Sequence, residues 1–394
     1  MQVHVARFKC TMGATSGLPE ASERQVLGKR LSETQDFAVL RAGFRWAASE
    51  QSATVWMRED AYVTEKALKV FVAAAKETDR PCAFKAKGRC GGFFSEISLG
   101  ENAPLLVWMP NGGEPTEELL NTVPFLDIEC HPRLVPLPAP DDSLPFDFIE
   151  LPLTDVIVLP TSHWAQLLWA NLMGLGPYLW RELVGRNVFT IIWNALCAFL
   201  SARSFQFPKL FAALGYHGKN CKIHPTAVVE GCWLGENVSI GANAVVRGSV
   251  LADGATVEDL AMVEFSVLGQ EAKVQRQAMV KFSVLSDCST VGGVVQLGVL
   301  STQSALKRGA YLLDLSLGDS GVKVQVGDEL KPVPLGMLGC FIGSDTTVGL
   351  GVAVAPGRAI PPGLKLTAAD GLLQKVDGSL HGLVVVRDGS LIKP

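Results

Sequence analysis

Charged residues are scarce in this chain of 394 residues. Asp, Glu, Lys and Arg make up 19% of it, below the roughly 25% of an ordinary soluble domain. The formal net charge is only -4, so the protein has no positive field that would attract a polyanion. We therefore expect no binding to nucleic acid.

Three further features are missing. The nine cysteines include no Cys-x-x-Cys pair, which predicts reduced thiols of a cytoplasmic protein rather than disulfides or zinc ligands. The first residues lack the basic and then apolar layout of a signal peptide. The uncharged run Asn187 to Ser201 is shorter than the ~20 residues that span a bilayer. These absences predict a cytoplasmic location and no membrane-spanning helix.

What the sequence does contain is a repeat between Cys221 and Val291. Aliphatic residues recur there at steps of six, five and six, so three steps add to seventeen residues, and a small residue stands two places before nearly every one. One equivalent position is occupied by Leu234, Leu251, Leu268 and Leu285. This spacing fits neither the 3.6 period of a helix nor the alternation of a strand. It predicts one short strand and a turn per step, three steps per triangular coil, and aliphatics stacked inward from coil to coil.

The repeat resembles the hexapeptide repeat of the left-handed parallel β-helix, down to the opening phrase Ile223-His224-Pro225-Thr226-Ala227. The resemblance implies a solenoid over 216–365. It is interrupted by an insertion at 303–335, in which Gly327-Asp328 predicts a hairpin turn, and it is followed by a C-terminal β-hairpin cap over 366–394. Proteins of this type assemble through flat prism faces, so the resemblance also implies a homotrimer.

Residues 1–160 indicate a mixed α/β domain. Helical spacing marks Val39 to Ala48 and Thr64 to Thr78, the second with Thr64 as its N-cap. The apolar run Leu105 to Met109 predicts a strand. The proline-rich stretch Pro132 to Pro145 predicts a surface loop.

A helical connector is predicted over 161–215. His163 to Leu172 has helical spacing, and Gly174 and Gly176-Pro177 should end that helix. Two further helices are predicted, at Val188 to Ala202 and Phe207 to Leu214. Apolar helices of this kind usually pack against the rest of the protein or a partner. The alternative is peripheral membrane contact, with tryptophans at the interface and arginines on lipid phosphates; the residues concerned are Trp164, Trp169, Trp180, Trp193, Arg181, Arg186 and Arg203.

The whole layout resembles that of the sugar-1-phosphate nucleotidyltransferases related to the N-acetylglucosamine-1-phosphate uridyltransferase. In that family a glycine-rich loop after the first strand cradles the nucleotide phosphates. The corresponding stretch is Gly13-Ala14-Thr15-Ser16-Gly17, followed by Lys29. The resemblance implies that Gly13 and Thr15 bind the nucleotide and that Lys29 is the catalytic cation.

The same resemblance implies a Mg²⁺ ion held by an aspartate at a strand end. Asp60, Asp127 and Glu129 follow or end apolar stretches, and we take Asp127 and Glu129 as the metal ligands, with Asp127 also catalytic. The reaction implied is in-line attack of a sugar 1-phosphate on the α-phosphate of a nucleoside triphosphate. The ordinary alternative for such acids is a solvated strand end.

Many left-handed β-helix proteins are acyltransferases that hold acyl-CoA between neighbouring prisms and use a histidine as base. None of the six histidines lies between Pro225 and Leu380, so His224 is the candidate base, with a structural role in the opening coil as its alternative. Arg308 and Arg358 are candidate ligands for the phosphates of acetyl-CoA or another acyl-CoA, and solvated corners are the alternative.

Three functions follow from these features. The first is a nucleotidyltransferase-like protein of nucleotide-sugar or cell-envelope metabolism, trimerised by its β-helix, with a nucleotide and a sugar phosphate as ligands. The second is a catalytically inactive trimeric scaffold or regulatory protein. The third is an acyl-CoA-dependent acyltransferase with an unconventional base.

Overall fold

The computed structural model has an α/β N-terminal unit and a parallel β-solenoid, which confirms the predicted fold class. One compact unit comprises Met1–Gly13, Glu20–Val26 and Arg30–Ser162, and the other comprises Ala14–Pro19, Leu27–Lys29 and His163–Pro394. We call them the N-terminal unit and the solenoid unit. The structure describes residues 3–9, 18–138, 148–184, 192–193, 196, 214–316, 321–368, 372–373 and 375–393.

The N-terminal unit is built on a six-stranded sheet in the order β4-β1-β5-β8-β7-β9. Strand β8 is antiparallel to both its neighbours, and the remaining pairs are parallel. The strands of this part of the chain are β1 (His4–Phe8), β2 (Gln25–Val26), β3 (Lys29–Arg30), β4 (Arg45–Trp46), β5 (Val55–Arg58), β6 (Ala61–Val63), β7 (Cys82–Lys87), β8 (Leu106–Trp108), β9 (Phe125–Glu129), β10 (Arg133–Pro138), β11 (Phe148–Leu153) and β12 (Val158–Pro160). The helices are α1 (Leu31–Arg41), α2 (Glu65–Ala75), α3 (Gly88–Ile97) and α4 (Glu117–Thr122).

Two local predictions for this unit are confirmed and two are wrong. Helix α2 begins after its N-cap Thr64, and β8 lies within the predicted strand. The predicted helix over Val39–Ala48 is wrong, because α1 ends at Arg41 and β4 follows. The predicted loop over Pro132–Pro145 is also wrong in its first half, where β10 pairs with β11. Prolines are tolerated in β10 because it belongs to a two-stranded ribbon with an unpaired edge.

The solenoid has three faces of parallel strands. The first face comprises Tyr216–His217, Trp233–Leu234, Val250–Leu251, Val267–Leu268, Val284–Leu285, Val299–Leu300, Phe341–Ile342 and Ala359–Ile360. The second comprises Lys222–Ile223, Ser239–Ile240, Thr256–Val257, Lys273–Val274, Thr290–Val291, Ala305–Leu306, Thr347–Val348 and Leu364–Ala368. The third comprises Val228–Glu230, Val245–Arg247, Met262–Glu264, Met279–Lys281, Val294–Gln296, Tyr311–Leu312, Ala353–Val354 and Leu372–Leu373.

The predicted inward stack is the core of the solenoid. Val257 pairs with Ile240 in the coil before and with Val274 in the coil after, and its side chain is fully buried. Polar groups at the corners form hydrogen bonds with the neighbouring coil. The carboxylate of Asp253 accepts a hydrogen bond of 2.7 Å from the N–H of Glu236, one coil earlier. Each coil therefore depends on its neighbours for both apolar burial and hydrogen bonding.

Several coils depart from seventeen residues, among them one early coil and the coil that carries the insertion. The partner of Val280 is Val295, fifteen residues on, because Gly292-Gly293 makes a tight corner. A Cβ on Gly293 would lie 2.3 Å from the carbonyl oxygen of Ala310, so this corner requires glycine. The insertion begins after Leu312, not at Gln303, since Ala305–Leu306 and Tyr311–Leu312 still belong to the coils.

The two predicted hairpins are present. In the insertion, Lys323–Val326 pairs antiparallel with Glu329–Pro332 around Gly327-Asp328. At the carboxyl end, Gly382–Arg387 continues the second face beside Leu364–Ala368 and turns back as Ser390–Ile392. The last hairpin covers the open end of the core, since Val384 and Val386 are fully buried.

Helix α5 (Trp164–Leu179) packs along the first face of the solenoid. The ring of Trp164 stacks on Phe341, with centroids 6.3 Å apart, and Tyr178 meets Trp233 edge to face at 6.2 Å. Sixteen residues of helix span about 24 Å, and the strands from Trp233 to Phe341 span about the same distance at ~4.8 Å per strand. The helix thus covers the outward valines of this face.

The predicted end of this helix at Gly174 and Gly176-Pro177 is wrong. The helix continues to Leu179 and is followed by π-helical turns over Trp180–Val184. Burial of nearly the whole helix offsets the cost of the glycines and the proline. The two further helices predicted for the connector lie largely outside the described residues. Within the described ranges, we find no helix with the length and hydropathy needed to cross a membrane.

His163 caps the start of α5 and generates a testable pH dependence. Its Nδ1 accepts from the N–H of Ala165 at 3.1 Å, and its Nε2 lies 3.1 Å from the carbonyl of Gln325. Burial lowers the pKa of His163 to about 4, against the opposing effect of the Gln325 carbonyl.

Because an unfolded histidine titrates near 6.5, the unfolded chain binds the extra proton first as pH falls. We expect the free energy of unfolding to fall by about 3 kcal/mol between about pH 6.5 and 4 through this residue. Urea unfolding at several pH values measures it. His163→Gln should flatten this part of the profile. Parallel profiles for wild type and His163→Gln would contradict the assignment.

Candidate functional site

A cavity of about 370 Å³ opens at the carboxyl ends of two parallel strands in the N-terminal unit. Strand β1 ends at Phe8 and β5 at Arg58, and the residues that follow them contribute to the lining. The cavity is lined by Lys9, Glu20, Ala21, Ser22, Arg24, Glu59, Asp60 and Ser162. Ligands of α/β sheets commonly bind at this edge, where the strand-end loops converge.

A buried ion-pair cluster forms one wall. The guanidinium of Arg58 holds Asp60 with two hydrogen bonds, of 2.5 and 3.1 Å, and also contacts the carboxylate of Glu101. The side chains of all three are at most 6% exposed. Ser162 donates to the second oxygen of Glu101 at 3.2 Å. Such a cluster holds its geometry because any broken pair leaves a buried charge.

The backbone that carries this cluster is itself anchored. The buried amide of Gln35 donates to the carbonyls of Arg58, Glu59 and Ala61 at 2.9–3.2 Å. Thr161 donates its hydroxyl to the carbonyl of Asp60 at 2.8 Å. The turn after β5 is therefore fixed by side chains from α1 and from the residue that follows β12.

The cavity combines both signs of charge. Lys9 is exposed, whereas Arg24 is 4% exposed and donates to the hydroxyl of Thr161 at 3.4 Å. Glu20 and Glu59 supply carboxylates and Ser22 a hydroxyl. Cations suit phosphate oxygens, and carboxylates accept hydrogen bonds from sugar hydroxyls. The lining can therefore bind a ligand that carries both groups.

The predicted nucleotide-binding residues fall in different places. Gly13 and Thr15 lie outside the described residues. Lys29 lies in β3 and is not among the residues that line the cavity. Its catalytic role stays a prediction.

Asp127 and Glu129 lie on β9, the outermost strand of the sheet, with their side chains exposed. Lys87, on the paired strand β7, forms an ion pair of 3.6 Å with Glu129. In the part of the chain that the structure describes, no three His, Cys, Asp or Glu side chains are grouped closely enough to hold a metal ion. The metal role of Asp127 and Glu129 and the catalytic role of Asp127 stay predictions.

The candidate solenoid residues have partners inside the solenoid unit. Nδ1 of His224 lies 2.9 Å from the hydroxyl of Thr226 and accepts from its N–H at 3.2 Å. Arg308 donates to the carbonyl of Arg276 at 3.1 Å. Arg358 donates to the carbonyls of Lys323 and Pro356, both at 3.4 Å. These contacts match the structural alternatives, and roles in acyl transfer or CoA binding stay predictions.

Sequence reasoning weighed Asp60 as a metal ligand and missed the cluster around it. The signal was present: Arg58-Glu59-Asp60 places three charges at the carboxyl end of a buried strand, where ligands bind. Glu101, however, is 43 residues from Arg58, and no local pattern links them.

With the geometry described, the chain can be compared with known proteins. Residues 215–303 match the family model for the GMPPB C-terminal domain, a hexapeptide-repeat domain of the nucleotidyltransferase family. The match agrees with the resemblance found in the sequence and confirms the hexapeptide β-helix. It covers the first coils of the solenoid and none of the cavity.

A comparison with curated proteins finds no match. Among solved structures, the chain is similar to one described as "Crystallographic analysis of the polysialic acid O-acetyltransferase OatWY", at 13% identity. The similarity covers 45% of this chain and 87% of that chain, with a TM-score of 0.17. A similarity at this level carries no conclusion about activity.

The ion-pair cluster yields a stability prediction. Arg58→Met should lower the free energy of unfolding by about 3–5 kcal/mol, because Asp60 and Glu101 would remain buried without their cation. Lys69→Met, which removes an exposed i,i+4 pair with Glu65, should cost no more than about 0.5 kcal/mol. Urea unfolding followed by tryptophan fluorescence measures both. Equal effects of the two substitutions would contradict the role given to the cluster.

Proposed function

We propose that the protein is a nucleotidyltransferase-like protein of nucleotide-sugar or cell-envelope metabolism whose N-terminal unit binds a nucleotide in the strand-end cavity. The observation that carries the proposal is the position of the cavity at the carboxyl ends of parallel β1 and β5. Nucleotides bind at that edge of α/β sheets, where strand-end loops are free to contact a ligand.

The sequence around β1 supports the same assignment. Lys9 follows the strand directly and lines the cavity. The glycine-containing stretch Gly13 to Gly17, which resembles a phosphate loop, begins four residues later. A cation directly after a strand and a glycine-containing stretch a few residues further along the sequence are features of triphosphate sites.

A binding function without transfer is the second candidate, and one observation favours it. Asp60, which the sequence offers as a possible metal ligand, is held by both of its oxygens to Arg58. A carboxylate committed in this way is not free to ligate a cation, and we derive no step through Mg²⁺. Nucleotide bound without transfer would make the N-terminal unit a regulatory module.

Binding is tested at Lys9. Calorimetric titration with each nucleoside triphosphate and Mg²⁺ should detect binding to the wild type, and Lys9→Ala should weaken it by at least about tenfold, because a hydrogen bond to a charged phosphate is lost. Lys69→Ala, a lysine on the exposed side of α2, should bind as the wild type does.

No binding of any nucleoside triphosphate to the wild type would refute the proposal. Binding of acetyl-CoA alone would favour the acyltransferase instead. Where a nucleotide binds, exchange of labelled pyrophosphate into the triphosphate in the presence of sugar 1-phosphates separates transfer from binding alone.

A further inference from the structure

The three faces of the solenoid differ in what their outward side chains meet. On the first face the outward valines Val250, Val267, Val284 and Val299 are at most 1% exposed beneath α5. The outward row of the second face is mostly polar: Lys222, Ser239, Thr256, Lys273, Thr290, Ala305, Thr347 and Lys365. The third face carries an apolar outward row in partial contact with solvent: Val228, Val245, Met262, Met279, Val294 and Tyr311.

This apolar row is long and accessible. Val228 is 37% exposed, Val294 36% and Tyr311 52%, and Met262 and Met279 between them are partly exposed. Six strands at ~4.8 Å make it about 24 Å long. An aligned apolar stripe of this length on a flat surface is typical of a protein interface.

Beside the apolar row runs a ladder of alternating charge. Glu230, Arg247, Glu264 and Lys281 occupy the same position in four successive coils. Arg247 bonds to Glu230 at 2.7 Å and to Glu264 at 3.2 Å, and Lys281 lies 3.2 Å from Glu264. The order along the solenoid is therefore minus, plus, minus, plus.

A row with this order of charges is complementary to a second copy of itself that runs in the opposite direction. A two-fold axis parallel to the strands, midway between the coils of Arg247 and Glu264, reverses the ladder of the second copy. Glu230 then faces Lys281 of the partner subunit, and Arg247 faces Glu264 of the partner subunit, while the apolar rows face each other. The same rotation buries the four apolar residues from Val228 to Met279 against their equivalents and pairs all four charges.

A parallel arrangement lacks this property. With the two-fold axis along the solenoid and over the apolar row, the two apolar rows can meet, but the two charged rows then lie on opposite sides of them. That arrangement leaves the charge ladder without a partner across the interface. We therefore propose that the third face binds a second copy of this chain, antiparallel, through the apolar row and the charge ladder.

The first test is the mass of the protein in solution. Light scattering should give twice the 42.2 kDa of one chain. Met262→Glu, which puts a charge into the apolar row, should give monomers. Thr256→Glu, at the outward position of the second face in the same coil, should leave the dimer intact. A monomeric or trimeric wild type, or a dimeric Met262→Glu, would overturn the proposal.

Two charge swaps of equal composition test the direction. Exchanging neighbours as Arg247→Glu with Glu264→Arg gives minus, minus, plus, plus, which is still self-complementary when reversed, so the dimer should persist. Exchanging Glu264→Lys with Lys281→Glu gives minus, plus, plus, minus, which opposes like charges throughout, so the dimer should dissociate.

The swaps also separate assembly from folding. The first swap places like charges at two of the three ion pairs within the chain, and the second swap does so at only one. If the ladder served folding alone, the first swap would therefore be the more disruptive of the two. Circular dichroism confirms that both variants fold. Dissociation of the first swap together with persistence of the second would refute the antiparallel pairing.

Discussion

The structure depends on the stacking of one coil directly on the next. Each two- or three-residue strand donates and accepts its hydrogen bonds across coils, and each inward aliphatic is buried only by its equivalents above and below. A coil of different length is possible only where the extra or missing residues fall at a corner. The fifteen-residue coil at Gly292-Gly293 and the insertion after Leu312 both obey this constraint.

Stacking also determines the polarity of the outward surface on each of the three faces. Because the period repeats, whatever residue type stands outward in one coil tends to form a row. A row of valines on the first face provides a flat apolar surface that α5 covers. A row of polar residues leaves the second face in water. An apolar row beside alternating charges gives the third face its self-complementary surface, so one constraint produces a packed face, a solvated face and a binding face.

The sequence predicts those features that depend on interactions between residues close together in the chain. It predicts the coils, because their period is local and repeated many times. It does not predict the continuation of α5 past Gly174 and Pro177, since burial against the first face overrides local propensity. The cavity was missed for a related reason: Arg58 and Glu101 meet only because β5 and the turn after α3 come together in the sheet. The matching family model covers residues 215–303, so the chemistry of the N-terminal unit rests on geometry alone.

The most direct test measures how far the stability of the solenoid falls when one inward side chain is shortened. Leu268 is fully buried between its equivalents, whereas Leu260, at a corner, is 52% exposed. Leu268→Ala should lower the free energy of unfolding of the solenoid by about 2–5 kcal/mol in urea, and Leu260→Ala should change it by less than about 0.5 kcal/mol. Equal effects of the two substitutions would contradict the account of a fold held together by its stacked interior.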